Sequence, residues 1–199
     1  MSQPVYLVRH GQSEWNLRRL TQGQTPHPPL TPLGREQAAA AARLVAGDVA
    51  ARGAAVGRIV TSDLVRAVET AHVLGETLGA PVTLDERLRE QHLGDLEGRG
   101  YDETWAAAEA IDWSDPTRPI AGGESLVDVH ERMSAVLRSV DRTVVTVLVS
   151  HGDAIRTAIA HLTGVQPHEA DWVDVPNGAV ARVDAGVSWL GRRPPQLSP

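Results

Sequence analysis

Two short segments of this chain share one unusual ending. Val5-Tyr6-Leu7-Val8 runs into Arg9-His10-Gly11, and Val144-Val145-Thr146-Val147-Leu148-Val149 runs into Ser150-His151-Gly152. Runs that are apolar on both faces and rich in β-branched residues predict strands covered on both sides by other elements. Each stops at a histidine followed by glycine, a residue that lets the backbone approach a ligand closely. Open α/β sheets bind ligands outside the carboxyl ends of their strands. Two such strands in one sheet would draw His10 and His151 to a single crevice.

The intervening sequence supports that sheet. Thr31-Pro32 opens a helix, with threonine as N-cap and proline at the first helical position. Its run Ala38 to Ala42 favours helix and permits close packing on a sheet. Arg58 to Thr61 predicts a buried strand, and Asp63 to Leu78 a helix stopped by Gly79 with Pro81 beyond. Val82 to Leu84 reads as extended, Leu88 to Gly98 as irregular, 101–112 as a short helix and 113–123 as loop. Leu126, Val129, Met133, Val136, Leu137 and Val140 form a helical apolar stripe. Asp153 to Leu162 predicts a helix ended by Gly164, and Ala179 to Val183 a last strand. Alternating strands and helices predict an α/β fold, a three-layer α/β/α sandwich whose central sheet is mostly parallel. The 199 residues suit one domain. Segment 99–123 is expected to form a short insertion over the crevice, and the chain from about residue 191 a frayed tail.

Composition narrows the chemistry. The chain has no cysteine, and all nineteen of its basic residues are arginine. This removes disulfides, thiolate metal sites, cysteine nucleophiles, lysine bases, Schiff bases and the lysine-dependent phosphate loop. A net charge of −6 argues against nucleic-acid binding. It leaves room for a small cationic pocket, because screening acts over about 8 Å at physiological salt. The N-terminus has no basic stretch followed by a long apolar one, and no run approaches a membrane span. The expectation is a cytoplasmic protein without a membrane partner. A homodimer through an exposed apolar edge is compatible with the sequence, which does not specify it.

Of the eight histidines, His72, His130, His161 and His168 lie in helical or turn segments without supporting residues and read as structural or surface groups. His27 sits in a Pro-rich loop and stays open; His92 is close to Glu90 and could support it. No H-E-x-x-H occurs, and the group His168, Glu169 and Asp171 reads as a charged turn, so neither a metal nor a cofactor is expected. Ser150 lacks the G-x-S-x-G context of a hydrolase nucleophile. No D-x-D appears for an aspartyl phosphotransferase.

The pieces that remain resemble one family. R-H-G-Q-S-E-W-N at 9–16 resembles the signature of the histidine phosphatase superfamily, the phosphoglycerate mutase-like proteins. S-D-L-V-R-A-V-E-T-A at 62–71, L-R-E-Q-H-L-G-D-L-E-G at 88–98, G-G-E-S at 122–125 and V-S-H-G at 149–152 resemble its further motifs, in order. One departure is visible: T-P-H-P-P-L-T places His27 where the family has Asp, which bears on substrate contacts from that loop.

The resemblance implies a metal-independent phosphomonoesterase. His10 would be the nucleophile and form phosphohistidine, its other nitrogen donating to the carbonyl of a nearby glycine that the sequence does not specify. Arg9, Arg66 and a protonated His151 would neutralise the phosphoryl group, which carries roughly two negative charges. Asn16 would add a neutral donor. Glu90 would act as general acid and then base, with a pKa raised by the substrate dianion beside it. Asp95 and Glu97 share that segment, but Glu90 occupies the motif position and Glu97 reads as structural. Ser13, Gln22, Trp105 and Trp113 are the expected substrate contacts, though the two tryptophans could equally pin the insertion to the sheet. The substrate would be a small phosphorylated metabolite. L-R-E-x-H-L-G-D with G-G-E-S-x-V-D-V is similar to glucosyl-3-phosphoglycerate phosphatases and suggests a sugar or glycerate phosphate. The alternatives are a cofactor-dependent phosphoglycerate mutase, which usually has a longer insertion and E-R-H-Y-G, and a non-catalytic phosphate-binding module.

Overall fold

The computed structural model describes residues 2–111, 115–170 and 173–191. The expectations for Trp113 and for the tail beyond Gly191 lie outside them. The chain runs β1 (Val5–Arg9), α1 (Glu14–Leu17), α2 (Pro32–Ala51), β2 (Val56–Thr61), α3 (Val65–Leu78) and β3 (Val82–Leu84). It continues through α4 (Tyr101–Glu109), α5 (Leu126–Ser139), β4 (Val145–Ser150), α6 (Gly152–Thr163), β5 (Val180–Val183) and β6 (Val187–Trp189). Short 3-10 turns at Glu86–Leu88 and Gly94–Leu96 interrupt the irregular stretch before α4.

One six-stranded sheet has the order β3-β2-β4-β1-β5-β6. Strands β3, β2, β4 and β1 are parallel neighbours, whereas β5 and β6 join antiparallel. Alternation along the strands feeds two cores. Tyr6, Val8, Val145, Val147 and Val149 pack on one face with Ala38, Ala41 and Ala42 of α2 and Ala67 and Ala71 of α3. Val5, Leu7 and Leu148 pack on the other with Val129 and Met133 of α5 and Ile155 of α6. The alanines let α2 lie close to the sheet, as their size predicts.

Local signals act where they were read. The Thr31 hydroxyl accepts from the Gly34 amide at 3.0 Å, and Pro32 occupies the first turn of α2. Gly79 and Gly164 end α3 and α6 in the left-handed conformation. Three features differ from the sequence reading. Strand β2 begins two residues earlier than expected, at Val56. A single helical turn, α1, follows the first motif, closed by a reciprocal cap between Ser13 and Asn16. A hairpin adds β6 through the turn in which the Asp184 amide donates to the Gly186 carbonyl.

Candidate active site

The parallel register of β1 and β4 pairs Arg9 with Ser150. The next residues, His10 and His151, therefore leave adjacent strands at the same level. Both are buried, and their ring centroids lie 5.0 Å apart at an interplanar angle of 59°. Burial comes from the layers above and below, so the sheet itself delivers both imidazoles to one point.

Their hydrogen bonding differs. The His10 Nδ1 lies 2.7 Å from the Gly11 carbonyl oxygen. A carbonyl only accepts, so Nδ1 carries the proton. Burial, then Arg66 and Arg9, push His10 well below the usual imidazole range despite that bond. The ring is thus neutral with its Nε2 lone pair available. Neither nitrogen of His151 has a hydrogen-bond partner among the described residues. Burial, followed by Arg66 and His10, pushes His151 down as well. The protonated His151 expected from the sequence is therefore not favoured by the protein alone; an anion beside it would have to supply that preference.

The glycine after His10 is required by the packing of the chain itself. A Cβ at Gly11 would meet the Gly34 carbonyl oxygen at 2.1 Å, and one at Gly34 would meet the Gln12 carbonyl at 2.1 Å. The two glycines let the loop after β1 cross the first turn of α2, backbone on backbone. At Gly152 a Cβ would lie 3.6 Å from the Arg9 guanidinium carbon and 3.6 Å from Glu90 Oε2. That glycine borders the site directly.

Arg66 is fully buried near the start of α3. Two of its nitrogens donate to the carbonyls of Thr25 and Gly23, at 2.9 and 2.8 Å, and burial lowers its pKa to about 10. Arg9 donates to the Val175 carbonyl. In both arginines the buried Nε has no partner among the described residues. Leaving a buried donor unpaired costs about 1–3 kcal/mol. Two guanidinium nitrogens and a whole imidazole left in that condition around one crevice are suited to an anionic ligand.

Glu90 faces the start of α6. One carboxylate oxygen accepts from the amides of Gln91 at 3.0 Å, Asp153 at 3.1 Å and Ala154 at 3.1 Å. Those bonds and Arg9 favour the ionised form, yet burial and the Asp153 carboxylate outweigh them and raise the pKa. Burial and the Asp153 carboxylate thus raise it in the protein itself, and a substrate dianion would act in the same direction.

Asn16 and Ser13 lie beside this group. Asn16 Oδ1 accepts from Asn177 Nδ2 at 3.2 Å, and that same nitrogen donates to the His10 carbonyl at 3.2 Å. The buried Ser13 hydroxyl caps α1 and donates to Gln22 Oε1 at 2.6 Å. The hydroxyl thus both accepts and donates within the protein. Glu97 holds the loop below, accepting from the Gln24 amide at 2.8 Å and the Thr25 hydroxyl at 3.1 Å. The His92 Nε2 lies 3.7 Å from Glu97 Oε1. His27 is exposed on its loop. Trp105, on α4, is 55% exposed.

Sequence reading missed three supports. Asn177 precedes β5 by three residues and reaches both His10 and Asn16. Tyr101, at the start of α4, accepts from Asn16 Nδ2 at 3.2 Å. Arg132, on α5, donates to the carbonyls of Arg87, Arg89 and Glu90 at 2.9, 2.6 and 2.9 Å, and forks onto Glu124 at 2.9 and 3.0 Å. It fixes the backbone that carries the Glu90 side chain. The only signal was Glu124 inside G-G-E-S with an arginine two helical turns later.

Fold and site together define a class: an α/β sandwich with an anion-receptive pair of strand-end imidazoles, two arginines and a carboxyl of raised pKa. Residues 5–187 match the histidine phosphatase superfamily (branch 1). The chain is 37% identical over 195 residues to a probable phosphoglycerate mutase GpmB of Photorhabdus laumondii, covering 94% of this chain and 87% of that protein. It is 41% identical over 176 residues to a glucosyl-3-phosphoglycerate phosphatase of Mycolicibacterium vanbaalenii, covering 81% and 74%. A mycobacterial glucosyl-3-phosphoglycerate phosphatase complexed with VO3 superposes with a TM-score of 0.77 at 31% identity, over 98% of this chain and all (100%) of that one. The chain belongs to the histidine phosphatase superfamily, and phosphomonoester hydrolysis is the activity this membership supports. No helix among the described residues is long and apolar enough to cross a membrane.

Proposed function

We propose that this chain hydrolyses a small phosphorylated metabolite through a phosphohistidine on His10, without a metal ion. The observation that carries the reading is the bond from His10 Nδ1 to the Gly11 carbonyl, which leaves a neutral ring with Nε2 as the nucleophile. Nε2 attacks phosphorus and the ester P–O bond breaks. Glu90 gives its proton to the departing alkoxide oxygen. Arg9, Arg66, Asn16 and His151 hold the non-bridging oxygens, and the phosphoryl charge favours protonation of His151. Water then attacks the phosphohistidine while Glu90 takes a proton from it, releasing orthophosphate and restoring both residues.

Glucosyl-3-phosphoglycerate is the first substrate to test, supported by the 41% identical relative and by the structural likeness. The overall charge of −6 favours a small ligand held in a local cationic pocket over a nucleic acid. A cytoplasmic setting fits such a substrate, because charged phosphate esters do not cross bilayers unaided. The relatives named as probable phosphoglycerate mutases support a second reading. A panel of phosphorylated metabolites ranked by kcat/KM, run with and without EDTA, tests the proposal. Hydrolysis insensitive to EDTA is expected. Isomerisation of 3-phosphoglycerate that needs 2,3-bisphosphoglycerate and outpaces all hydrolysis would favour the mutase instead.

A further inference from the structure

Tyr101 opens α4, in the segment that reads as a mere cover. Its backbone is fixed by a short antiparallel pairing across the site's rim. The Thr21 amide donates to the Arg99 carbonyl at 2.8 Å, and the Tyr101 amide donates to the Arg19 carbonyl at 2.9 Å. Arg19 holds a left-handed backbone, φ 55°, that a non-glycine residue adopts only under constraint. Its guanidinium carbon lies 5.6 Å from the centre of the Tyr101 ring. Ring and backbone are therefore both held.

The hydroxyl then has a defined place. Its oxygen accepts from Asn16 Nδ2, while Asn16 Oδ1 is bound through Asn177 to the carbonyl of His10. The chain of hydrogen bonds runs from the nucleophile's own backbone to the phenol. Tyr101 is close enough to Arg9 and to Arg66 to couple electrostatically to both guanidinium groups. As an acceptor from Asn16, the phenol keeps one O–H proton, and no described residue accepts it.

We infer that Tyr101 is a phosphate-binding residue, donating its hydroxyl proton to a non-bridging oxygen of the phosphoryl group between Arg9, Arg66 and His10. This inference rests on the phosphatase reading for its kinetics, but not for its binding test. The insertion then does more than shield the crevice: it completes the ring of donors, and a substrate bound without α4 in place would lack one of them. Aromatic hydroxyl to anionic oxygen is a charge-assisted bond.

The experiment is Tyr101→Phe, which removes the hydroxyl and keeps the ring on Arg19. Orthophosphate is the probe, with its Kd read by calorimetry and its Ki read against an aryl phosphate. Loss of a hydrogen bond to a charged group predicts phosphate binding weaker by about ten- to a hundredfold. A comparable fall in kcat/KM is expected, with the melting temperature in the absence of phosphate unchanged. An unaltered phosphate Kd overturns the inference. So does a loss that vanishes when Tyr101→Phe is made in an Asn16→Ala background, since Tyr101 would then act only by orienting Asn16. Wild-type protein that binds phosphate but hydrolyses nothing would defeat the phosphatase reading and leave the Tyr101 comparison intact.

Discussion

His10 and His151 leave adjacent parallel strands, are equally buried and are both held below the usual imidazole range, yet the protein treats them differently. One ring nitrogen of His10 is committed to the Gly11 carbonyl, whereas neither nitrogen of His151 has a partner among the described residues. A nucleophile needs a fixed tautomer with one lone pair exposed. A group that binds oxygen in one step and adapts as charge moves needs both nitrogens free. Topology makes the two histidines equivalent, and the loop that follows β1 and the helix that follows β4 make them unequal.

The comparison breaks most sharply at the nucleophile. His10→Ala should lower turnover by on the order of 10⁴-fold or more and abolish any covalent intermediate. His151→Ala should cost about 10²- to 10³-fold, the effect of one transition-state donor, while the intermediate still forms slowly; rapid-quench kinetics separate the two outcomes. Equal losses with no intermediate in either variant would mean the asymmetry is not functional. Glu90→Gln should depend on the leaving group. Alkyl phosphates should slow by about 10²-fold and aryl phosphates with acidic phenols far less, since general acid catalysis contributes roughly 10²–10⁴-fold where a proton is needed.

Smaller effects sharpen the same contrast. Arg132→Lys keeps the charge but loses the fork that ties Arg87, Arg89 and Glu90 to Glu124. A roughly tenfold fall in kcat is expected with KM little changed, together with a shifted pH–rate profile because Glu90 has moved. The smallest effect is on stability. His10 and His151 stay neutral in the folded chain and take up protons on unfolding, so stability falls as pH drops below about 6.5. Denaturant melts between pH 7.5 and 5.5 should show this decline, and His10→Ala with His151→Ala should flatten it. Added phosphate should offset it in the wild type.

The fold was legible because its signals are local. Val5–Val8 and Val144–Val149 announce their burial, Thr31-Pro32 caps α2, and Gly79 and Gly164 stop their helices within the chain's own vicinity. Strand β6 escaped because Val187–Trp189 is three residues long and only half-buried, although Asp184-Ala185-Gly186 is a fair turn signal. In the site, the motif residues Arg9, His10, Arg66, Glu90 and His151 were readable by resemblance, and the structure brings them around one crevice. Arg132, Asn177 and Tyr101 were not, because each acts across long separations in sequence, 85 residues between Tyr101 and Asn16. At Gly11 the sequence does not reveal the contact that needs glycine: the missing side chain lets the loop after β1 cross the first turn of α2 at Gly34.

The central claim is that the Gly11 carbonyl makes His10, through Nε2, the covalent carrier. Phosphoenzyme trapped by acid-free quench from labelled substrate, digested and examined by NMR and mass spectrometry, tests it directly. The account predicts one phosphoryl group on Nε2 of His10, stable to base and lost in acid. A phosphoryl group on His151, or on Nδ1 of His10, would contradict it.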